Sequence, residues 1–302
     1  MIETVRKWIQ ALMTFLTNGY WAFPVTRSIY QGPLKSLCSP GLNCYSCPAA
    51  TLACPIGSLQ QILANIRFAL QTGQYHVGLF VVGSMGVAGG FFGRMICGWA
   101  CPFGLIQELL YKIPTPRKFD VPRPLRYIKF VILAVMVVLL PLFAIDSFGA
   151  GQTYFCKYLC PAGTLEAGIP MLFLQPELRQ TVGPLFYNKV GFLVFFVIWS
   201  VLASRPFCRT ACPLGAFYAL FSKSKLVSLR WHEDRCTRCK ACHYVCPMGV
   251  KFNESPQDTE CISCLKCMNQ ACKYGAISLE IAGLPTQSPT TAPPRPVPHK
   301  QT

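Results

Sequence analysis

The sequence is short of charged residues, of acidic residues in particular, and of histidine, and each shortage excludes a class of protein. Only 13% of its 302 residues are charged, while 52% are hydrophobic. This composition is more apolar than that of an ordinary soluble domain and predicts that part of the chain lies in lipid. Of its four histidines, only His76 lies near an apolar stretch, so the chain provides no pair of axial imidazoles for haem within a membrane.

The shortage of acidic residues leaves a formal net charge of +16, but the basic residues are not arranged for nucleic acid. They are spread along the chain without a run of five or six, and they flank apolar stretches as membrane topology signals do. No small-x-small cleavage motif follows the first apolar stretch before Pro24. We therefore interpret that stretch as a transmembrane helix and not as a signal peptide.

Four apolar stretches approach the roughly 20 residues that a bilayer requires. They lie at about residues 5–25, 76–96, 125–145 and 189–204. Basic residues precede the first stretch, separate the second from the third and follow the fourth, which places these regions and both termini in the cytoplasm. The sequence thus predicts a multi-pass protein of the cell's inner membrane, with the loops at about 26–75 and 146–188 on the outer side.

The 18 cysteines fall into short spacings, and eight of them form two runs near the C-terminus. The spacing x2-x2-x3 before a proline is the bacterial [4Fe–4S] signature, in which the fourth cysteine ligates the other cluster. One cluster is predicted on Cys236, Cys239, Cys242 and Cys272, and the other on Cys261, Cys264, Cys267 and Cys246. Lys273 stands where proline usually follows, which makes Cys272 the least secure ligand. Two four-cysteine zinc sites are the alternative.

A Cys-x-x-x-Cys-Pro unit occurs three times in the apolar region, and Cys54-Pro repeats its second half. Since proline is favoured in the first helical turn, each Cys-Pro should begin a helix whose free N–H groups and dipole favour a thiolate or cluster. Four of these cysteines meet on the cytoplasmic side and predict an inner cluster: Cys97, Cys101, Cys208 and Cys212.

Six further cysteines fall on the outer side, and their number exceeds one cluster and falls short of two. They are Cys38, Cys44, Cys47, Cys54, Cys156 and Cys160. A further cluster, buried structural thiols and a disulfide are the alternatives for this group. The sequence therefore predicts two [4Fe–4S] clusters in the ferredoxin-like part and one or two more beside the membrane.

These features predict a membrane all-α bundle of about four transmembrane helices at residues 1–225. A C-terminal α+β domain of the bacterial two-[4Fe–4S] ferredoxin type follows at 226–283, and a disordered Pro-rich tail at 284–302. The combination of helices, Cys-x-x-x-Cys-Pro pairs and ferredoxin module resembles the NapH/MauN family of membrane ferredoxins, related to the polyferredoxin part of NosR and to CcoG-type proteins. The third pair and the Cys38–Cys54 group go beyond the two pairs that are typical of NapH-like proteins.

The resemblance implies an electron-transfer subunit that relays electrons between its cytoplasmic ferredoxin module and a quinone pool or a partner redox protein. Its partners would be other subunits of a redox complex and an electron donor or acceptor protein, not nucleic acid. A quinol dehydrogenase role would need a proton acceptor, for which the candidates are His76, Asp146, Glu166 and Glu108. The alternatives are an assembly or maturation factor of a redox metalloenzyme and a membrane thiol–disulfide oxidoreductase.

Overall fold

The computed structural model describes residues 2–73, 76–145 and 151–285. Asp146 and nearly all of the predicted tail lie outside these residues. The α-helices of the first half are α1 (Ile2–Thr17), α2 (Phe23–Thr26), α3 (Pro55–Ala64), α4 (Ile66–Thr72), α5 (His76–Phe92), α6 (Met95–Trp99), α7 (Pro102–Leu110), α8 (Ile128–Ile132) and α9 (Leu140–Phe143). Those of the second half are α10 (Tyr154–Tyr158), α11 (Pro161–Gly163), α12 (Ile169–Leu174), α13 (Pro184–Leu202), α14 (Pro206–Thr210), α15 (Pro213–Leu220) and α16 (Ala241–Val245).

Shorter segments of other helix types link these elements. The 3-10 turns are Pro33–Ser36, Arg123–Tyr127, Pro176–Thr181 and Glu233–Arg235, and the π-helical segments are Leu133–Leu139, Thr164–Gly168 and Cys267–Ala271. Two of the π segments come just before Pro141 and Pro170. Since proline has no N–H and its ring clashes with the carbonyl four residues earlier, a wider turn before it keeps the helix continuous.

Two helical segments of the described chain are long and apolar enough to cross a bilayer. They are Arg123–Phe143, with a mean hydropathy of 2.2, and α13, with 1.8, and they correspond to the third and fourth predicted stretches. The other two stretches form shorter helices. The prediction for the first was wrong at its C-terminal end: α1 stops at Thr17, because Asn18 bonds back to Thr14 and Gly19 follows.

Helix α1 carries its polar side chains inward and its apolar side chains outward. Arg6 and Gln10 are completely buried, whereas Trp8 and Leu12 are 72% and 58% exposed. In a helix of a soluble protein the apolar face packs against the core. The reversed arrangement is the one expected where the outer face of a helix contacts lipid.

The C-terminal part contains a three-stranded antiparallel sheet in the order β1 (Val227–Trp231), β2 (Ile277–Ile281) and β3 (Leu284–Pro285). The register pairs Val227 with Ile281 and Trp231 with Ile277. Strands β1 and β2 lie on either side of both cysteine runs in the sequence. Their pairing therefore closes the loop that carries the runs and brings Cys272 back beside Trp231.

Candidate functional site

The cysteine of each of the four Cys-Pro units in the apolar region caps a helix, as the sequence predicted. Cys54, Cys101, Cys160 and Cys212 occupy the N-cap positions of α3, α7, α11 and α15, with proline in the first turn. The backbone N–H of Gly163 donates to Cys160 Sγ, and that of Gly215 to Cys212 Sγ, both at 3.4 Å. At these two caps a free N–H group of the first turn therefore points at the thiol, where it favours negative charge.

The structure brings the four cysteines of the predicted inner set together. Cys97, Cys101, Cys208 and Cys212 are all buried, with 5–6% of each exposed. Burial, followed by repulsion from the thiolates of Cys208 and Cys97, raises the pKa of Cys101 to about 12. Four thiols that repel one another when ionised need a cation among them, which is the chemistry of an iron–sulfur site.

Two arginines link the halves of this inner set and were missed by the sequence analysis. Arg94 donates to the carbonyl oxygen of Cys208 at 3.1 Å, and Arg205 donates to that of Cys97 at 2.7 Å. Both are fully buried, and each stands three residues before the first cysteine of its own pair. The repeated pattern Arg-x-x-Cys-x-x-x-Cys-Pro was the signal that could have identified them.

Buried carboxylates balance these arginines. Arg94 forms a 2.7 Å ion pair with Glu260, which Lys129 also contacts, and Arg205 forms a 2.8 Å pair with Glu108. Burial alone would raise the pKa of Glu108, but attraction to Arg205 and Arg6 outweighs it and lowers the pKa to about 2. Glu108 is therefore held as a carboxylate, which does not suit the role of proton acceptor that the sequence suggested.

The six outer cysteines divide into a group of four and two others. The Sγ atoms of Cys54 and Cys156 both lie 3.9 Å from the point that a Cβ on Gly57 would occupy. Those of Cys44 and Cys160 lie 3.6 and 3.7 Å from the equivalent point on Gly163. Burial and then repulsion from Cys156, Cys44 and Cys54 raise the pKa of Cys160. These four thiols therefore form one set, the outer set, and four is the number that a [4Fe–4S] cluster needs.

Cys38 and Cys47 have other hydrogen-bonding neighbours. Cys47 lies 3.8 Å from the amide oxygen of Asn18, and Cys38 interacts with the hydroxyls of Ser58 and Ser84. All 18 cysteines have free thiols in the structure. We therefore distinguish these two thiols from the four of the outer set.

The outer set takes one of its four thiols from a loop, since one repeat lacks its first cysteine. Ala50 stands four residues before Cys54, where the other three units have cysteine. Cys44 fills this role from the segment 38–47, which enters between the helices. A Cβ on Gly41 would lie 2.7 Å from the Cα of Cys101, so only glycine allows this approach. The loop of the outer set therefore touches the inner set.

A large cavity lies beside the outer set. Its volume is about 780 Å³, and Cys38, Cys44, Cys54, Cys156 and Cys160 are among its lining residues. Glu166, which precedes the lining residue Ala167, accepts a 2.6 Å hydrogen bond from the backbone N–H of Cys44. Burial raises the pKa of Glu166 to about 7, although that hydrogen bond opposes the shift. Of the other proton-acceptor candidates, Asp146 and the side chain of His76 lie outside the described part of the structure.

The ferredoxin-like part contains two smaller cavities, and each is lined by one predicted ligand set. The first is bordered by Cys236, Cys239, Cys242 and Cys272, and the second by Cys246, Cys261, Cys264, Cys267 and again Cys242. Among the described residues, no three Cys, His, Asp or Glu side chains converge on a single ion position. The chemistry of the thiolate donor sets fits [4Fe–4S] clusters, and Cys272 lines the first cavity with the three cysteines that were predicted beside it.

The second of these cavities lies against the inner set. Trp99 donates its indole N–H to the carbonyl oxygen of Ser263 at 3.1 Å, and Lys225 bonds the hydroxyl of the same residue at 3.0 Å. The Arg94–Glu260 pair joins the same two parts beside Cys261. The four thiol sets thus follow one another, from the exposed Cys239 through the inner set to the outer cavity.

Comparisons with known proteins agree with these sites. A family model described as "4Fe-4S binding domain" matches residues 52–72, 75–122, 130–172 and 189–232, and a second model of the same description matches 229–252. An uncharacterized protein of Methanocaldococcus jannaschii is 34% identical over 63% of this chain and 73% of its own length. No solved structure matches.

Two relatives have descriptive names. The methylamine utilization ferredoxin-type protein MauN of Methylobacillus flagellatus is 26% identical over 55% of this chain and 54% of its own length. The ferredoxin-type protein NapH of Escherichia coli is 23% identical over 58% of each. The chain thus spans little more than half the length of these two proteins. With its family models matching about half of the chain and its cysteines grouped into sets of four, the chain belongs to the 4Fe-4S binding, ferredoxin-type family that includes NapH and MauN.

Proposed function

We propose that this ferredoxin-type iron–sulfur electron-transfer protein connects a cytoplasmic redox partner with the outer side of the inner membrane. The observation that carries the proposal is the arrangement of four thiol sets in one series. The two cavities of the ferredoxin-like part share Cys242 in their walls. The second cavity adjoins the inner set through Trp99, and the inner set adjoins the outer set at Gly41.

In this proposal each set holds one [4Fe–4S] cluster, which when bound accepts and releases single electrons. The ligands would be Cys236, Cys239, Cys242 and Cys272; Cys246, Cys261, Cys264 and Cys267; Cys97, Cys101, Cys208 and Cys212; and Cys44, Cys54, Cys156 and Cys160. The protein's part is to exclude water from the inner set and to offset its negative charge with Arg94 and Arg205. At the first set, Cys239 is exposed and gives a partner protein access.

Four membrane-crossing helices fit this arrangement. Helix α13 and the segment Arg123–Phe143 are long enough, and we propose that α1 and α5 complete the bundle. Apolar side chains on these helices face outward: Leu12, Leu79, Val131 and Ile198 are 56–64% exposed. At one end of α1, Arg6 contacts Gly98 of the inner region, and at the other Thr17 accepts a bond from Thr51 of the outer loop. The positive-inside rule places the first of these ends in the cytoplasm.

The direct test of the series is the cluster content of the anaerobically purified chain. Four clusters correspond to about 16 iron and about 16 sulfide per chain, and we expect this content together with four reducible components in low-temperature EPR. About eight iron would confine the clusters to the ferredoxin-like part and overturn the series. A purified protein that contains zinc and no iron would also contradict the proposed function in electron transfer.

A quinone is the occupant that we propose for the outer cavity. Its volume of about 780 Å³ lies within the range of small-molecule sites, and Ile62, Phe80 and Met171 give it apolar walls beside Cys156. In Ser58→Phe, the aromatic ring should fill part of this cavity. We expect the rate of cluster reduction by duroquinol to fall about tenfold, while reduction by dithionite stays unchanged.

The control for this variant is Ser224→Phe, because Ser224 is exposed and does not line the cavity. Stopped-flow absorbance of the full-length protein in detergent follows both reactions. Equal duroquinol rates in Ser58→Phe and wild type would show that the quinone does not bind in this cavity.

A further inference from the structure

In each of the four Cys-Pro units that begin a helix, the sixth residue after the cysteine carries a polar group, and in two of the four units this group touches a sulfur. There the pattern C-P-x-G-x-x is followed by Gln60, Gln107, Glu166 and Tyr218, whereas the same pattern at Cys246 is followed by Phe252. Gln60 donates its amide N–H to Cys156 Sγ at 3.2 Å, and Gln107 donates to Cys208 Sγ at 3.1 Å. Each glutamine belongs to one of the first two units along the chain, and each donates to a cysteine of one of the last two units.

In the third and fourth units the equivalent residues, Glu166 and Tyr218, do not bond a sulfur. Glu166 accepts from the backbone N–H of Cys44, and Tyr218 donates to the carbonyl oxygen of Pro40 at 2.9 Å. Both contacts hold the loop that carries the fourth outer ligand. The outer and inner sets therefore each receive one amide N–H from this position, and in both cases a glutamine supplies it.

The surroundings fix the glutamine at the outer set. Gln60 is fully buried, and its amide oxygen accepts the backbone N–H of Phe155 at 2.9 Å, just before Cys156. Its nitrogen also donates to the carbonyl oxygen of Ile56, one helical turn earlier. With both ends of the amide engaged, the nitrogen is the atom that faces the sulfur.

Gln107 occupies the equivalent position at the inner set, where only its amide nitrogen is hydrogen-bonded. It is 1% exposed, and its amide nitrogen also reaches the carbonyl oxygen of Phe103 at 3.4 Å. Phe103 occupies the place in α7 that Ile56 occupies in α3. The repeated sequence thus places a glutamine amide donor beside a sulfur of the outer set and beside a sulfur of the inner set.

Hydrogen bonds to ligand sulfurs raise the reduction potential of an iron–sulfur cluster, because they stabilise the more negative, reduced state more than the oxidised state. The effect is strongest where water is excluded, as it is at these buried amides. We propose that Gln60 and Gln107 are positioning residues that hold a sulfur of the outer and inner sets, respectively, and raise the potentials of the clusters there. This inference rests on the proposed function, since it requires clusters in both sets.

The test is an EPR-monitored redox titration of full-length Gln107→Met, which keeps the volume of the side chain and removes the donor. We expect one component to move to lower potential, with its ratio of oxidised to reduced cluster at a fixed potential raised about tenfold, equivalent to about 59 mV. Gln60→Met should move a different component by a similar amount, and the double variant should move both. Gln175→Met is the control, because this exposed amide bonds Arg27 and no sulfur.

Measured iron content distinguishes a failure of the proposed role of the glutamines from a failure of the proposed function. Full iron content with unmoved potentials would overturn the role of the glutamines and leave the series of sets intact, whereas a wild-type chain without membrane-side clusters would overturn the proposed function. If Gln107→Met fails to fold, Gln107→Leu also removes the donor with an uncharged side chain of similar size. Its component should move downward as well, and an unmoved or raised potential would contradict the proposal.

Discussion

Replacing Cys54 by serine should remove about four iron atoms per chain, whereas replacing Cys47 by serine should remove none. Both cysteines belong to the outer loop, and the sequence treats them alike. The structure separates them, because the sulfur of Cys54 lies beside that of Cys156 while Cys47 faces Asn18. Colorimetric iron and sulfide assays on anaerobically purified protein measure the difference directly.

The same comparison extends to the other thiols of the loop. Cys44→Ser should behave like Cys54→Ser, and Cys38→Ser should behave like Cys47→Ser. The EPR components of the ferredoxin-like part should persist in all four variants, which shows that each variant has folded. Loss of iron from Cys47→Ser together with full iron in Cys44→Ser would reverse our choice of ligands.

Glu108→Ala should lower the free energy of unfolding by about 3–5 kcal/mol, because it leaves two buried guanidinium groups without their carboxylate. Glu108 pairs with Arg6 at 2.7 Å and with Arg205 at 2.8 Å, and neither arginine is exposed. The matched control is Glu254→Ala, which breaks a 3.3 Å pair between half-exposed side chains. Such surface pairs contribute about 0–1 kcal/mol. Denaturant unfolding of both variants in the same detergent measures the difference.

The free energy of unfolding that Glu108→Ala loses should become smaller as the pH falls. The pKa of Glu108 is about 2 in the folded chain and 4.5 as its ordinary value. A lowered pKa means that the ion pairs stabilise the fold fully above pH 4.5 and lose this contribution as the pH falls towards 2. The gap between wild type and Glu108→Ala should therefore narrow below pH 4.5, and a gap that stays constant down to pH 2 would contradict the assignment.

The sequence predicted those features that depend only on residues close together in the chain. A proline after a cysteine begins a helix and makes that cysteine the N-cap, because the proline ring and the free N–H groups act within one turn. The runs Cys236–Cys246 and Cys261–Cys267 lie close together in the chain, so their spacing alone indicates which thiols share a cavity.

The long-range partners were not predictable, because they depend on how distant helices pack. Nothing in the sequence near Arg94 indicates that it bonds the carbonyl of Cys208, and nothing near Gln60 points to Cys156. In the four helical units the pattern C-P-x-G-x-x is followed by Gln, Gln, Glu or Tyr, and this pattern was present in the sequence. Its meaning depends on contacts between the two halves of the repeat.

By itself, the sequence determined that this chain carries thiolate sets for iron–sulfur clusters and helices apolar enough for a membrane, because ligand spacing and hydropathy are properties of short segments. Only the tertiary structure decided which four of the six outer thiols meet, since Ala50 leaves a position that Cys44 fills from the preceding loop. It also decided the order of the sets. That order follows from the contacts of Gly41 with Cys101 and of Trp99 with Ser263, which form only when the helices and the ferredoxin-like part pack together.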